Sequence, residues 1–138
     1  VGLVYRDAVG GMGWLEGALG FERQFVVPGP SAEVVAHAQL GWPATGELIM
    51  LGSARNELSD PATHAHSIYL VVPADQLAAT FERAKGAAGT RVVREIGATD
   101  YGSQEFAVAD PEGNVWSLGT YDPHAPSPSA GEGAGGGG

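Results

Sequence analysis

Cysteine is absent from this chain, so it forms no disulfide and offers no thiolate to a metal. The absence also suits a reducing compartment, and we expect the protein in the cytoplasm. Basic residues are few: 7 Lys and Arg stand against 16 Asp and Glu, a formal net charge of −9 at pH 7. Such a surface repels backbone phosphates, so nucleic acid is not an expected partner. No apolar run approaches the roughly 20 residues of a membrane-spanning helix, so a membrane is not expected either. The first residues lack a basic stretch followed by an apolar one, so no signal peptide is read. The chain opens directly in an apolar strand, which suggests a short leading segment ahead of it. Nothing resembles a phosphate loop, a dinucleotide fingerprint, or a nucleophile constellation built on serine.

What the chain does have is an internal repeat. Gly46-Glu47-Leu48-Ile49-Met50-Leu51-Gly52-Ser53 matches Gly113-Asn114-Val115-Trp116-Ser117-Leu118-Gly119-Thr120 at an offset of 67 residues. The same shift lays Leu3-Val4-Tyr5 over Leu70-Val71-Val72. Repeats outrank local signals in deciding a fold. The expected fold is α+β, with two βαβββ modules whose curved mixed sheets enclose a cleft. Residues 1–53 form the first module, 54–65 a connecting loop and 66–121 the second module. The Pro- and Gly-rich tail, 122–138, buries no core and is expected to be disordered.

Within the first module, Gly2 to Arg6 reads as a strand and Asp7 as a helix N-cap. Met12, Leu15 and Leu19 supply a buried helical face despite four glycines, and Gly20 stops the helix. Strands are expected over 21–27, 33–40 and 47–51. Alternation puts Val34, Ala36, Ala38 and Leu40 on one face of the second of these. Val35, His37 and Gln39 fall on the other. In the second module, strands are expected over 66–72, 91–96, 104–109 and 115–120. A helix carries Leu77, Phe81, Ala84 and Ala88 on one face. Asp110-Pro111-Glu112-Gly113-Asn114 is a turn.

This pattern resembles the vicinal oxygen chelate superfamily, which includes glyoxalase I, extradiol dioxygenases, and fosfomycin and bleomycin resistance proteins. The resemblance rests on Tyr5-Arg6-Asp7-Ala8 leading to Trp14-Leu15, on Leu19-Gly20-Phe21, and on Ile49-Met50-Leu51-Gly52. Its strongest part is Asp110 through Leu118, and it covers residues 1 to about 121. Tyr101 through Phe106 and the ending Gly119 through Pro123 are similar to its glyoxalase-like branch of unassigned specificity.

The resemblance implies a metal held by a His at the start of a module's first strand and a Glu on its last. Here the second-half His position falls on His66. The second-half Glu position falls on Ser117 and its first-half counterpart on Met50. The remaining position precedes Val1. One imidazole does not hold a catalytic metal. The expected cofactor is therefore none, and no residue is assigned as a metal ligand. A different cluster of His37, His64 and His66, with oxygen from Glu47 or Glu105, is the competing arrangement.

The candidate ligand-binding residues are His37, Gln39, Met50, His66, Tyr101 and Ser117. His37 and Gln39 place polar anchors on an otherwise apolar face, the usual composition of a small-molecule site. Met50 is an adaptable apolar wall. Tyr101 and Trp42 fall in loops, where aromatics form lids or stacking surfaces. Trp116 alternates with Ser117 and points to the core. Asp110 and Glu112 read as turn residues rather than an acid–base pair. The expected function is metal-free binding of a small apolar or aromatic ligand, resembling the drug-sequestering resistance proteins, in a homodimer. The alternatives are a metal-dependent lyase, isomerase or dioxygenase resembling glyoxalase I, and a metal-free enzyme with a histidine general base.

Overall fold

The computed structural model describes residues 2–54 and 66–121. Most of the 54–65 connection, with His64, and the tail from 122 lie outside the described residues. The first half runs β1 (Gly2–Tyr5), α1 (Ala8–Trp14), a π-helical segment (Leu15–Leu19), β2 (Glu22–Pro28), β3 (Val35–Gly41) and β4 (Leu48–Ser53). The second runs β5 (Ser67–Val71), α2 (Leu77–Gly86), β6 (Arg91–Ala98), β7 (Gln104–Ala109) and β8 (Val115–Gly119). A single 3₁₀ turn, Ala74–Gln76, leads into α2.

Each half folds into one four-stranded sheet, in the orders β1-β4-β3-β2 and β5-β8-β7-β6. In each sheet the first strand pairs parallel to the last and the other pairings are antiparallel. The repeat carries over the order of the strands and the register of the parallel pair. Gly2 pairs with Met50, and the residues 67 further on, Tyr69 and Ser117, pair in the second sheet. The α+β reading with two like modules therefore holds, and the two sheets are not closed on each other.

Alternation decides which face of each sheet is covered. Leu40, Ile49 and Leu51 of the first sheet are buried, as are Ile68, Leu70, Phe106, Val108, Trp116 and Leu118 of the second. These side chains join Leu15, Leu19, Leu77 and Phe81 of the helical segments in one hydrophobic cluster. Phe21 and Trp116 meet edge to face at 6.0 Å, and Trp14 lies 6.4 Å from Trp116. The helices thus stand at the junction of the halves, and each sheet turns its other face away from this core.

Two local features set the first helix. Asp7 caps it by accepting from the Gly10 N–H at 3.0 Å. The π-helical segment then leaves carbonyls that its own backbone does not use. Arg83 of α2 donates to two of them, Gly17 O at 2.9 Å and Glu16 O at 3.0 Å, tying the helices together. Gly20, at φ +83°, ends the segment in the left-handed region that glycine tolerates.

The glycines of α1 are not equivalent. A Cβ on Gly11 would lie 2.7 Å from Cδ2 of Tyr5, whose ring is buried. Gly11→Ala is therefore expected to cost about 1–3 kcal/mol through overpacking, more than its helix-propensity gain. A Cβ on Gly13 meets nothing within 4 Å. Gly13→Ala is expected to stabilise by about 0.5–1 kcal/mol. Denaturant unfolding of the two variants beside the native chain measures both signs.

Three expectations need correction. Val35, not Val34, is buried. The β2–β3 register slips here: His37 pairs with Val27 but Val35 with Pro28, leaving Ala36 as an extra residue that reverses the alternation. Trp42 is neither a lid nor a stacking surface. It is 2% exposed, stacks on Phe21 at 5.9 Å, and donates from Nε1 to Leu19 O at 2.7 Å. Ala88 lies beyond the end of α2 and is exposed.

Candidate functional site

The uncovered faces carry the residues left over from the core. On the first sheet one row crosses all four strands: Phe25, Gln39, Met50 and Gly2, in direct register. His37 lies beside this row, its imidazole 5.6 Å from the Phe25 ring. Gln39 donates to Gln24 Oε1 at 2.7 Å. Leu48, Met50 and Phe25 are each 44% exposed, a large apolar exposure to leave in water. His37, Gln39 and Met50 are thus brought together, the first two as the alternation implied.

On the second sheet the matching row is Arg94, Ala107, Ser117 and Tyr69. Beside it stands a carboxylate that the sequence reading used only as a spare metal oxygen. Glu105 is 4% exposed, and its Oε2 accepts from Tyr69 Oη and from Tyr101 Oη, each at 2.7 Å. Arg94 Nη1 approaches Oε1 at 3.5 Å. Gly119 makes this meeting possible, because a Cβ there would collide with Glu105 Cγ and the Tyr69 hydroxyl. Burial first, and then the bond to Glu105, push the Tyr69 phenol up to about 12. The Tyr101 phenol is also raised, chiefly by its bond to the same carboxylate.

Two candidates join this second group. Ser117 lies in the row, and Tyr101 reaches it from the β6–β7 loop. His66 precedes β5, where its N–H donates to Asn114 Oδ1 at 2.8 Å and its carbonyl accepts from Val115 N at 2.9 Å. It shares the phase of buried Ile68 and Leu70, whereas Ser67 and Tyr69 hold the uncovered phase. The six candidates therefore fall on two sheets rather than around one point. Alternation along β7 could have exposed Glu105, since it shares a phase with Ala107 and Ala109 and not with Phe106 and Val108.

The Asp110–Asn114 turn belongs to the core. Asp110 Oδ2 accepts from Tyr5 Oη at 2.7 Å, Asn114 Nδ2 at 3.1 Å and Trp116 Nε1 at 3.2 Å. Glu112 accepts from the backbone N–H groups of Arg6 and Asp7, both at 2.7 Å. The turn is therefore the polar clasp between the modules, and its carboxylates are engaged by structural donors.

The donor set does not fit the metal centre that the resemblance implies. At the two positions where it implies carboxylates, Met50 offers a thioether and Ser117 a hydroxyl. Hard or borderline cations favour oxygen anions and imidazole. Among the described residues no group of three or more His, Cys, Asp or Glu is placed to hold a metal ion. Also among the described residues, no helix is long and apolar enough to cross a membrane.

Paired βαβββ modules, each with an uncovered sheet face, define the fold class. The sequence matches the Glyoxalase/Bleomycin resistance protein/Dioxygenase superfamily over residues 1–118, and the chain belongs to that family. No curated protein matches it. Among solved structures, TioX from Micromonospora sp. ML1 is similar at 21% identity and a TM-score of 0.69, with 86% of this chain and 94% of that one covered. FosX from Listeria monocytogenes, a fosfomycin resistance protein complexed with Mn(II) and sulfate, is similar at 14% identity and a TM-score of 0.62, with 88% of each chain covered. A glyoxalase-related enzyme from Fulvimarina pelagi is similar at 18% identity and a TM-score of 0.60, with 92% of this chain and 88% of that one covered. At these identities the likeness is one of fold.

Proposed function

We propose that this protein binds a small apolar or aromatic molecule without a catalytic metal, as a cytoplasmic homodimer. The observation that carries the reading is the composition of the uncovered rows. Met50 and Ser117 stand where the family resemblance implies metal-ligating carboxylates, and Gln39 pairs with Met50 while Phe25 and His37 share its sheet face. An apolar wall with a few polar anchors suits ligand retention better than Lewis-acid chemistry.

The exposure of the sheets supports the dimer. A small-molecule pocket buries most of its ligand, which one open sheet face cannot do. Within one chain both sheets back onto the shared helical core, so a second copy is the proposed source of a facing sheet. Edge strands β2 and β6 add exposed Val26, Val93 and Ile96, further apolar surface for such a contact. Concavities of about 630 and 480 Å³ beside the helices are a different matter. The first lies over glycines of the α1 region, and both are lined by Arg83, which is spent on the π-helical carbonyls. His37, Gln39, Met50, Tyr101 and Ser117 remain the assigned ligand contacts, whereas His66 shares the phase of buried Ile68 and Leu70.

The test is titration of chelator-treated protein with a panel of aromatic antibiotics, bleomycin among them, followed by calorimetry. The expected result is binding of at least one compound, unchanged by added Mn(II) or Zn(II). Met50→Asp is expected to weaken it by about ten-fold or more, as a charge placed in an apolar wall does. Metal-dependent turnover of any panel member would contradict the reading. Turnover without metal that is lost in His37→Ala or His66→Ala would replace it with the histidine-base enzyme.

A further inference from the structure

We infer that Glu105 and the tyrosines around it form a subsite for an organic cation, so that the ligand carries an alkylammonium or quaternary ammonium group. The inference rests on the small-molecule reading above and names the chemistry of its ligand.

Three observations carry it. The first is an aromatic cluster over a single anion. Tyr69 and Tyr101 both donate to Oε2 of Glu105, and the Tyr121 ring stands perpendicular to that of Tyr101 at 5.5 Å. The three tyrosines are each 40–57% exposed, although the carboxylate they surround is buried. A phenol that donates to an anion gains electron density on its ring, and electron-rich ring faces attract cations. The second is incomplete neutralisation. A buried carboxylate calls for a close counter-charge. Among the described residues Arg94 is the one cation paired with Glu105, and it approaches only to 3.5 Å with 46% of its side chain exposed. A compact ammonium group is able to displace so loosely held a guanidinium. The third is the field of the chain, whose net charge of −9 draws cations and repels anions. An anionic ligand would meet both that field and Glu105.

The experiment titrates the full-length protein with benzyltrimethylammonium at constant ionic strength, using ligand-observed NMR. Neutral benzyl alcohol and anionic benzoate serve as comparators of similar aromatic size. The expected result is saturable binding of the cation, with benzyl alcohol at least ten-fold weaker and benzoate undetected. Glu105→Gln should weaken the cation about ten-fold, in the range of a desolvated cation–π and ion-pair contact. Arg94→Ala should tighten it by removing the competing guanidinium. Tyr101→Leu lies on an exposed loop and reports on the site even if Glu105→Gln unfolds; it too should weaken binding. Equal binding of all three compounds, or cation binding unaffected by Tyr101→Leu, would overturn the inference. If an antibiotic from the panel binds while benzyltrimethylammonium does not, the cationic subsite is refuted and the small-molecule reading stands.

Discussion

Replacing Asp110 with alanine is expected to destabilise the protein by about 3–5 kcal/mol, a large part of a small domain's stability. The carboxylate collects five donors. Oδ2 takes the Tyr5 hydroxyl, the Asn114 amide and the Trp116 indole. Oδ1 takes the backbone N–H groups of Glu112 at 2.9 Å and Asn114 at 3.0 Å. Alanine leaves the Tyr5 and Trp116 donors buried without an acceptor, because neither side chain reaches water. A stranded buried donor costs more than the net worth of the bond it lost. Tyr5 belongs to β1 and Trp116 to β8, so the damage falls on the junction of the modules. Urea denaturation measures the loss, and Asp110→Asn should cost less because its amide retains one acceptor oxygen. A loss under about 1 kcal/mol for the alanine variant would remove the clasp from this account.

A second large effect is expected in alkali. Burial pushes the Tyr5 phenol far above its ordinary value of 10.0, and the Asp110 carboxylate beside it acts in the same direction. Above pH 10 the unfolded chain releases this proton while the folded chain retains it. The folded state then binds more protons, and stability falls as pH rises. For one fully retained proton the slope is about 1.4 kcal/mol per pH unit, so Tyr5 alone removes about 2–3 kcal/mol by pH 12. Tyr69 acts with the same sign between its ordinary 10.0 and its raised value of about 12, but solvent access weakens its share. Tyr5→Phe should start less stable at neutral pH and lose less above pH 10. The comparison is denaturant midpoints of both proteins from pH 8 to 12. Parallel curves would show that Tyr5 is not the group responsible.

The repeat was the most legible feature, because it is a property of residue order alone. It pointed to two like modules, and in the structure their parallel strand pairs share one register, as the Gly2–Met50 and Tyr69–Ser117 pairs show. Strand alternation put His37 and Gln39 on one face for the same reason, while Met50 was reached through the repeat. What failed was whatever depended on contacts between distant segments. Trp42 looked like a loop aromatic because its partners, Phe21 and Leu19, lie more than twenty positions away. The slip at Ala36 has no sequence mark, since it arises from pairing with β2. Glu105 was underrated because its meaning depends on Tyr69, Tyr101 and the missing side chain of Gly119, which converge only across three strands and a loop. Asp110 was correctly read as a turn residue, but its bond to Tyr5 spans 105 positions.

The central claim is that Met50 and Ser117 have replaced a metal centre with a binding surface. Elemental mass spectrometry of protein purified without chelator tests it most directly. The account predicts substoichiometric Mn, Fe, Ni and Zn, with the same aromatic-ligand affinity before and after dialysis against a chelator. Close to one equivalent of a single metal per chain, lost together with ligand binding on dialysis, would contradict it.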